Sequence, residues 1–257
     1  MPAHSASVLP PAPAAPRAGA VSLGLSFDQV EKRFGPLSVL RNVTFQVAAG
    51  EFAILLGANG SGKTTLLRLA ALLAQPTRGT VRWEGIPAGL GPQGNDCAGY
   101  LGHLSQLYDE LTALENLQFF ARLYRLPFSA EELRTRLASA GLDSWGGTLV
   151  RAFSRGMRQR LALVRVFLHS PSLLLLDEPS AGLDTPGIDW LAGILTGLRD
   201  SACTVLMSTH GDSPLTAFAS RVMWLAGGKL AGDAQADIPS ALRQADIAIR
   251  QDRGGVR

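Results

Sequence analysis

The segment FAILLGANGSGKTTLLRLAALLA, which begins at Phe52, constrains the chain more than any other feature. FAILLG is an apolar run with the length of a strand buried on both faces. Gly57, Ala58, Asn59, Gly60, Ser61, Gly62, Lys63 and Thr64 then satisfy G-x-x-x-x-G-K-T in full. Leucines at helical spacing follow, and they predict a helix that continues to Pro76. Strand, glycine-rich loop and helix in this order form a phosphate cradle. The glycines allow backbone angles at which successive N–H groups converge on phosphate oxygens. The helix N-terminus adds a partial positive charge. In such a cradle Lys63 reaches the β- and γ-phosphates of a nucleotide and the Thr64 hydroxyl binds Mg2+, with Thr65 beside it in the binding set.

A phosphate loop alone does not separate kinases, GTPases and ATPases, so the second acidic site matters. Leu173 to Leu176 are four consecutive leucines, the pattern of a covered strand, and they lead into Asp177-Glu178-Pro179. An Asp at the end of a buried strand holds Mg2+, usually through water, and an adjacent Glu can orient and polarise an attacking water. Asp177 is therefore the second metal candidate and Glu178 the catalytic carboxylate.

The rest of the chain frames these motifs. VSLGLSFDQV and VTFQV read as short strands before Phe52. A helical block is expected over about 105–170. Thr112 with Glu115, and Ser129 with Glu132, have capping-box spacing. Leu114, Leu117, Ala121 and Tyr124 mark one face of the first helix, and Leu133 with Leu137 mark the second. A third helix starts near Ser154 with Met157, Leu161, Val164 and Leu168 as its inner stripe. CTVLMST and RVMWLAGG then return to strand, and the stretch after Gly232 reads as a strand remnant and one weak helix. The expected architecture is α/β, a mixed-sheet core with an inserted helical subdomain. The expected organisation is a Pro/Ala-rich disordered tail over 1–20, one domain over 21–235 and a C-terminal tail over 236–257.

Composition excludes several alternatives. The chain has 257 residues, 46% of them hydrophobic, enough for a large core. A net charge of +3 is too small to argue for nucleic acid. Two cysteines, Cys97 and Cys203, without C-x-x-C suggest inert thiols rather than a disulfide framework or zinc site. No apolar stretch approaches the roughly eighteen residues of a membrane helix, so a membrane role must come through a partner.

These motifs together resemble the ATP-binding domain of ABC transporters. Phe153-Ser154-Arg155-Gly156-Met157-Arg158-Gln159 resembles the family signature L-S-G-G-Q, with Arg155 and Met157 departing from it. The resemblance implies that Ser154, Arg155, Gly156 and Met157 cap the γ-phosphate held by a second copy, in a head-to-tail dimer. It implies a RecA-like mixed-sheet core with an antiparallel β subdomain and an inserted α-helical subdomain, ATP hydrolysis with Mg2+, and integral membrane permease subunits as partners at the cytoplasmic face. Asp184, in Ser180-Ala181-Gly182-Leu183-Asp184, resembles the D-loop that touches the opposite site. His210, in Ser208-Thr209-His210, resembles the switch histidine that contacts γ-phosphate, and Phe34 resembles the aromatic that stacks on adenine.

The family usually places glutamine where the core meets the helical block. Here His103 takes that position, with Gln106 as the rival three residues on. An uncharged imidazole keeps one acceptor nitrogen for a metal-bound water. Tyr100 to His103, and Leu107 to Tyr124, are similar to the ATP-binding subunit of the cytochrome c maturation haem exporter, a subfamily that often has Gly-His here. That similarity implies haem export for c-type cytochrome biogenesis, with no haem contact by this chain itself. Another ABC-2-like exporter of drug, lipid or polysaccharide is the alternative. A ribosome- or DNA-acting ATPase of this family would carry two cassettes or long insertions, which do not fit the 115 residues between Lys63 and Glu178. No direct nucleic-acid contact is expected.

Overall fold

Strands that are apolar on both faces need cover on both sides, and the middle of the larger sheet is made of them. In the computed structural model, residues 23–86, 97–199, 201–235 and 237–254 are described. The expected tail over 1–20 lies outside them. The first strands are β1 (Gly24–Phe34), β2 (Leu37–Val47), β3 (Phe52–Gly57) and β4 (Arg78–Glu84). Next come β5 (Ala98–Leu101), β6 (Leu173–Asp177), β7 (Thr204–Ser208), β8 (Arg221–Ala226) and β9 (Lys229–Ala234). One sheet has the order β2-β1-β4 and is antiparallel. The other has the order β5-β6-β7-β3-β8-β9, parallel except for β9.

Every residue of β3, β6 and β7 is buried. Their side chains alternate between two hydrophobic layers. Ala53, Leu55, Leu173, Leu175 and Leu206 meet helix α1 (Lys63–Ala70) and the small sheet. Ile54, Leu56, Leu174, Leu176 and Val205 meet α4 (Arg155–Phe167), α5 (Thr185–Arg199) and the helical insertion. The segment expected as a C-terminal tail carries α6 (Ile238–Gly254), whose Ala241 and Ala245 are buried in that second layer.

The helical insertion contains α2 (Ala113–Leu123) and α3 (Ala130–Ser139), followed by α4. Both capping boxes form: Thr112 Oγ1 accepts the Glu115 N–H at 3.2 Å, and Ser129 Oγ accepts that of Glu132 at 3.2 Å. The reciprocal bonds to the cap backbones hold both glutamates below the usual carboxylate range. Ser154 caps α4 by accepting the Met157 N–H at 3.2 Å.

Helix α1 is shorter than its leucines suggest. It ends at Ala70 rather than near Pro76, and the Trp83 indole of β4 donates to the Ala70 carbonyl at 2.7 Å. Leu72 then turns left-handed at φ 56°, and Leu73 is left exposed. Strands β4 and β5 are absent from the sequence reading, and the strand remnant is a complete edge strand, β9.

Burial raises the Cys203 thiol to about 12, so it stays neutral and inert. Thr112→Ala should cost about 1 kcal/mol, the usual worth of a helix N-cap, and Thr112→Ser should restore most of it. Denaturant midpoints of the purified chain, read by circular dichroism, check this; equal midpoints for all three would show that the cap contributes nothing.

Candidate active site

The parallel strands end side by side, and their carboxyl ends assemble one cavity of about 470 Å3. It is lined by Val39, Asn59, Gly60, Gly62, Lys63, Thr64, Thr65, His103, Asp177 and Glu178. Glycine is required at Gly62, which caps α1 at φ 105°. A Cβ there would lie 2.8 Å from Leu40 Cδ2. Gly57 ends β3, where a Cβ would strike the Ser61 hydroxyl and lie 3.0 Å from the Leu225 carbonyl. Ala58 and Ser61 are buried in the loop, and Ser61 Oγ has no hydrogen-bond partner among protein atoms.

Lys63 is buried and folds back over the loop. Its Nζ donates to the carbonyls of Gly57 at 2.8 Å and Ala58 at 3.2 Å, and lies 3.9 Å from Glu178 Oε1. Asp177 is buried at the end of β6; Oδ1 accepts a 2.6 Å bond from Ser208, while Oδ2 is a buried oxygen without a hydrogen-bond partner. Such an oxygen, beside the exposed Thr64 hydroxyl, suits a hard divalent cation, which takes oxygen ligands and keeps several from water and phosphate. Glu178 adopts φ 49°, a left-handed conformation that is costly outside glycine. It points to a backbone held for a purpose. Its side chain lies 3.7 Å from His210 Nε2.

The other candidates fall into two groups. His103 lines the phosphate cavity, whereas the lining does not include Gln106, which is exposed and left-handed at φ 54°. His210 is half exposed and borders a second cleft with Gly57, Leu242 and Arg243 of α6. Phe34 is 54% exposed with Lys32 Nζ 5.0 Å from its ring centre. Ser154, Arg155, Gly156 and Met157 do not line this cavity. They pack on the Ser180–Asp184 turn instead. A Cβ on Gly156 would lie 2.8 Å from the Gly182 carbonyl, and one on Gly182 would meet the Arg155 side chain at 3.0 Å. Gln159 donates to the Pro179 carbonyl at 2.9 Å. Arg160 hydrogen-bonds Asp184, and that bond holds the Asp184 carboxyl below its usual range.

Sequence reasoning missed Val39 and Ser208. Val39 carries no chemical signal, whereas a hydroxyl ending a buried strand beside a histidine was visible at Ser208. Tyr100 of β5 was also passed over as chemistry; burial, reinforced by the charge of Asp177, raises its phenol to about 12.

A buried lysine in a glycine-rich loop, an unpaired metal-type carboxylate oxygen and a strained glutamate in one cavity define a nucleoside-triphosphate hydrolase site. The ABC transporter family model matches residues 40–181, from β2 to the turn after β6. The chain belongs to this family and is an ATP-binding, ATP-hydrolysing subunit. It is similar to the ABC transporter ATP-binding protein NatA of Bacillus subtilis, 33% identical over 76% of this chain and 80% of that one. It is also similar to the cytochrome c biogenesis ATP-binding export protein CcmA of Dechloromonas aromatica, 35% identical over 72% of this chain and 92% of that one. CcmA of Xanthomonas axonopodis pv. citri is 40% identical over 73% and 84%. A dimeric ATP-binding cassette in a post-hydrolysis state, bound to ADP and Pi, shares the fold with a TM-score of 0.70 at 26% identity. That match covers 82% of this chain and 98% of the other.

Two substitutions test the cavity. Glu178→Gln should keep ATP affinity within about threefold, because Lys63 and the loop are untouched, while lowering kcat by about 100-fold or more, the usual weight of a general base. Steady-state kinetics with equilibrium binding decide; near-normal turnover would remove Glu178 from catalysis. His103→Ala should lower ATPase activity more than Gln106→Ala, and His103→Gln should preserve it. A silent His103→Ala with a damaging Gln106→Ala would assign the role to Gln106.

Proposed function

We propose that this chain is the motor of a membrane exporter, working as a head-to-tail dimer, with haem for c-type cytochrome biogenesis as the exported cargo. The observation that carries the catalytic part is the unpaired Asp177 Oδ2 beside Lys63, Thr64 and Glu178 in one cavity. Lys63 exchanges its loop carbonyls for the β- and γ-phosphates of ATP, and the loop N–H groups hold the remaining oxygens. Thr64 and Asp177 would hold Mg2+, which would neutralise charge on the phosphates. Glu178 orients a water in line with the γ-phosphate and takes its hydrogen bond. The water oxygen bonds to γ-phosphorus as its proton passes to the Glu178 carboxylate, and the bond from γ-phosphorus to the bridging oxygen breaks with its electrons left on the β-phosphate oxygen of ADP. His210 contacts the γ-phosphate, His103 would accept a hydrogen bond from a water at the cation site, and Phe34 stacks on adenine.

Ser154, Arg155, Gly156 and Met157 lie outside their own chain's cavity, as expected of groups that serve a second copy. Asp184 and the turn that carries it are joined to the same helix through Arg160 and Gln159. The permease contact is made by exposed apolar residues at the start of the insertion and on α2, Leu104, Tyr108, Phe119 and Leu123, of which Tyr108 and Phe119 touch edge to face. Buried Asn116 clamps it, accepting the Tyr108 N–H at 2.9 Å and donating to the Tyr108 carbonyl at 3.0 Å. The adjacent Asp109 pairs with Arg158 of α4, so the patch is tied to the signature helix. Among the described residues no helix is long and apolar enough to cross a membrane; attachment at the cytoplasmic face through permease subunits is what membership of the transporter family supports.

The similarity to CcmA, with His103 in the cavity wall directly after Gly102, favours haem export. The similarity to NatA favours the second reading, an ATP-binding subunit of another exporter. Disrupting the gene in its own organism should abolish haem-stained c-type cytochromes and leave b-type cytochromes near normal. Restoration by the wild-type chain but not by Glu178→Gln would support the first reading; unchanged c-type cytochromes would leave the second.

A further inference from the structure

Ser208 ends β7, the strand between the phosphate-loop strand and the acidic strand. In register it stands between Leu55 of β3 and Asp177 of β6. It is fully buried, and its hydroxyl is used twice. The O–H donates to Asp177 Oδ1 at 2.6 Å. The same oxygen accepts the Glu178 N–H at 3.0 Å, and the Ser208 carbonyl accepts that N–H at 3.2 Å.

We propose that Ser208 is a positioning residue for the hydrolytic site, aiming Asp177 at the metal and fixing the backbone of Glu178. The proposal rests on the ATPase reading above. A hydroxyl has one hydrogen, and Ser208 commits it to Oδ1. That bond stops the carboxylate from rotating and leaves Oδ2 as the oxygen presented to a cation. The donor is neutral. A lysine or arginine in its place would compensate the carboxylate charge and oppose the cation instead of steering it. On its other side, Ser208 offers two acceptors to a single N–H, that of a residue at φ 49°. Holding a non-glycine residue there takes over-determination of this kind. One side chain therefore sets the metal-facing oxygen and the catalytic glutamate together, two residues before His210.

The test uses the full chain with Ser208→Ala and Ser208→Thr, and thermal unfolding of each. Affinity for a fluorescent ATP analogue is measured in EDTA and in Mg2+, and Mn2+ bound with nucleotide is titrated by electron paramagnetic resonance. Ser208→Ala should match wild type in EDTA, lose most of the gain that Mg2+ gives, and bind Mn2+ about tenfold more weakly, the scale of a hydrogen bond to a charged group. Its kcat should fall more than its KM rises. Ser208→Thr, which keeps the hydroxyl, should recover both; if its extra methyl prevents folding, Ser208→Cys with its weaker donor should fall between Ala and wild type. Unchanged metal dependence in Ser208→Ala would overturn the proposal while leaving the ATPase reading intact. An equal loss in EDTA and Mg2+ with a lowered Tm would overturn it in favour of a purely structural serine. A wild-type chain without metal-dependent nucleotide binding would overturn both.

Discussion

Parallel pairing of β3, β7 and β6 is the constraint on which the rest of the molecule depends. Leu55 faces Ser208 in the ladder, and Ser208 faces Asp177. Because the strands run in the same direction and in step, their carboxyl ends finish at one edge. The phosphate loop leaves that edge from β3, the carboxylates leave it from β6, and the histidine turn leaves it from β7. Parallel strands require crossover connections, and the helices that supply them cover both faces of the sheet. The buried leucines of β6 serve this geometry: any slip in register would move Asp177 away from the loop.

Two polar compromises sit inside that apolar frame. Asp177 keeps one buried oxygen without a partner, and Glu178 keeps a left-handed backbone. Each costs stability, since an unpaired buried acceptor and a strained backbone are both unfavourable. The large hydrophobic layers on both sides of the sheet offset them. Departures from local consistency of this kind belong where charge must later be met by a ligand.

The helical insertion is rigid at its termini and exposed at one surface. Capping boxes at Thr112 and Ser129, and the Asn116 clamp, hold its turns, so Tyr108 and Phe119 stay outward as an edge-to-face pair with ring centres 4.8 Å apart. Ion pairs from Asp109 and Glu110 to Arg158 and Arg151 join that surface to the start of α4. The same helix start is bonded to the Ser180–Asp184 turn, and that turn follows Glu178. A continuous chain of contacts thus joins the exposed patch to the catalytic edge.

By itself, the sequence determined the phosphate loop, the acidic strand end, the helix caps and the mixed α/β class. Each of these is local: a glycine pattern, a run of four leucines, a serine or threonine three residues before glutamate. Tertiary structure decided what depends on distant neighbours. The Ala70 carbonyl at the end of α1 is taken by the Trp83 indole, thirteen residues away on β4. Strands β4 and β5, short or weakly patterned, exist because β1 and β6 present them with ladder partners. That His103 rather than Gln106 lines the cavity follows from how the chain leaves β5, which a count of residues left open. Ser208 is an ordinary serine until parallel pairing sets it between Leu55 and Asp177, because hydrogen bonds between strands link residues that are remote in sequence.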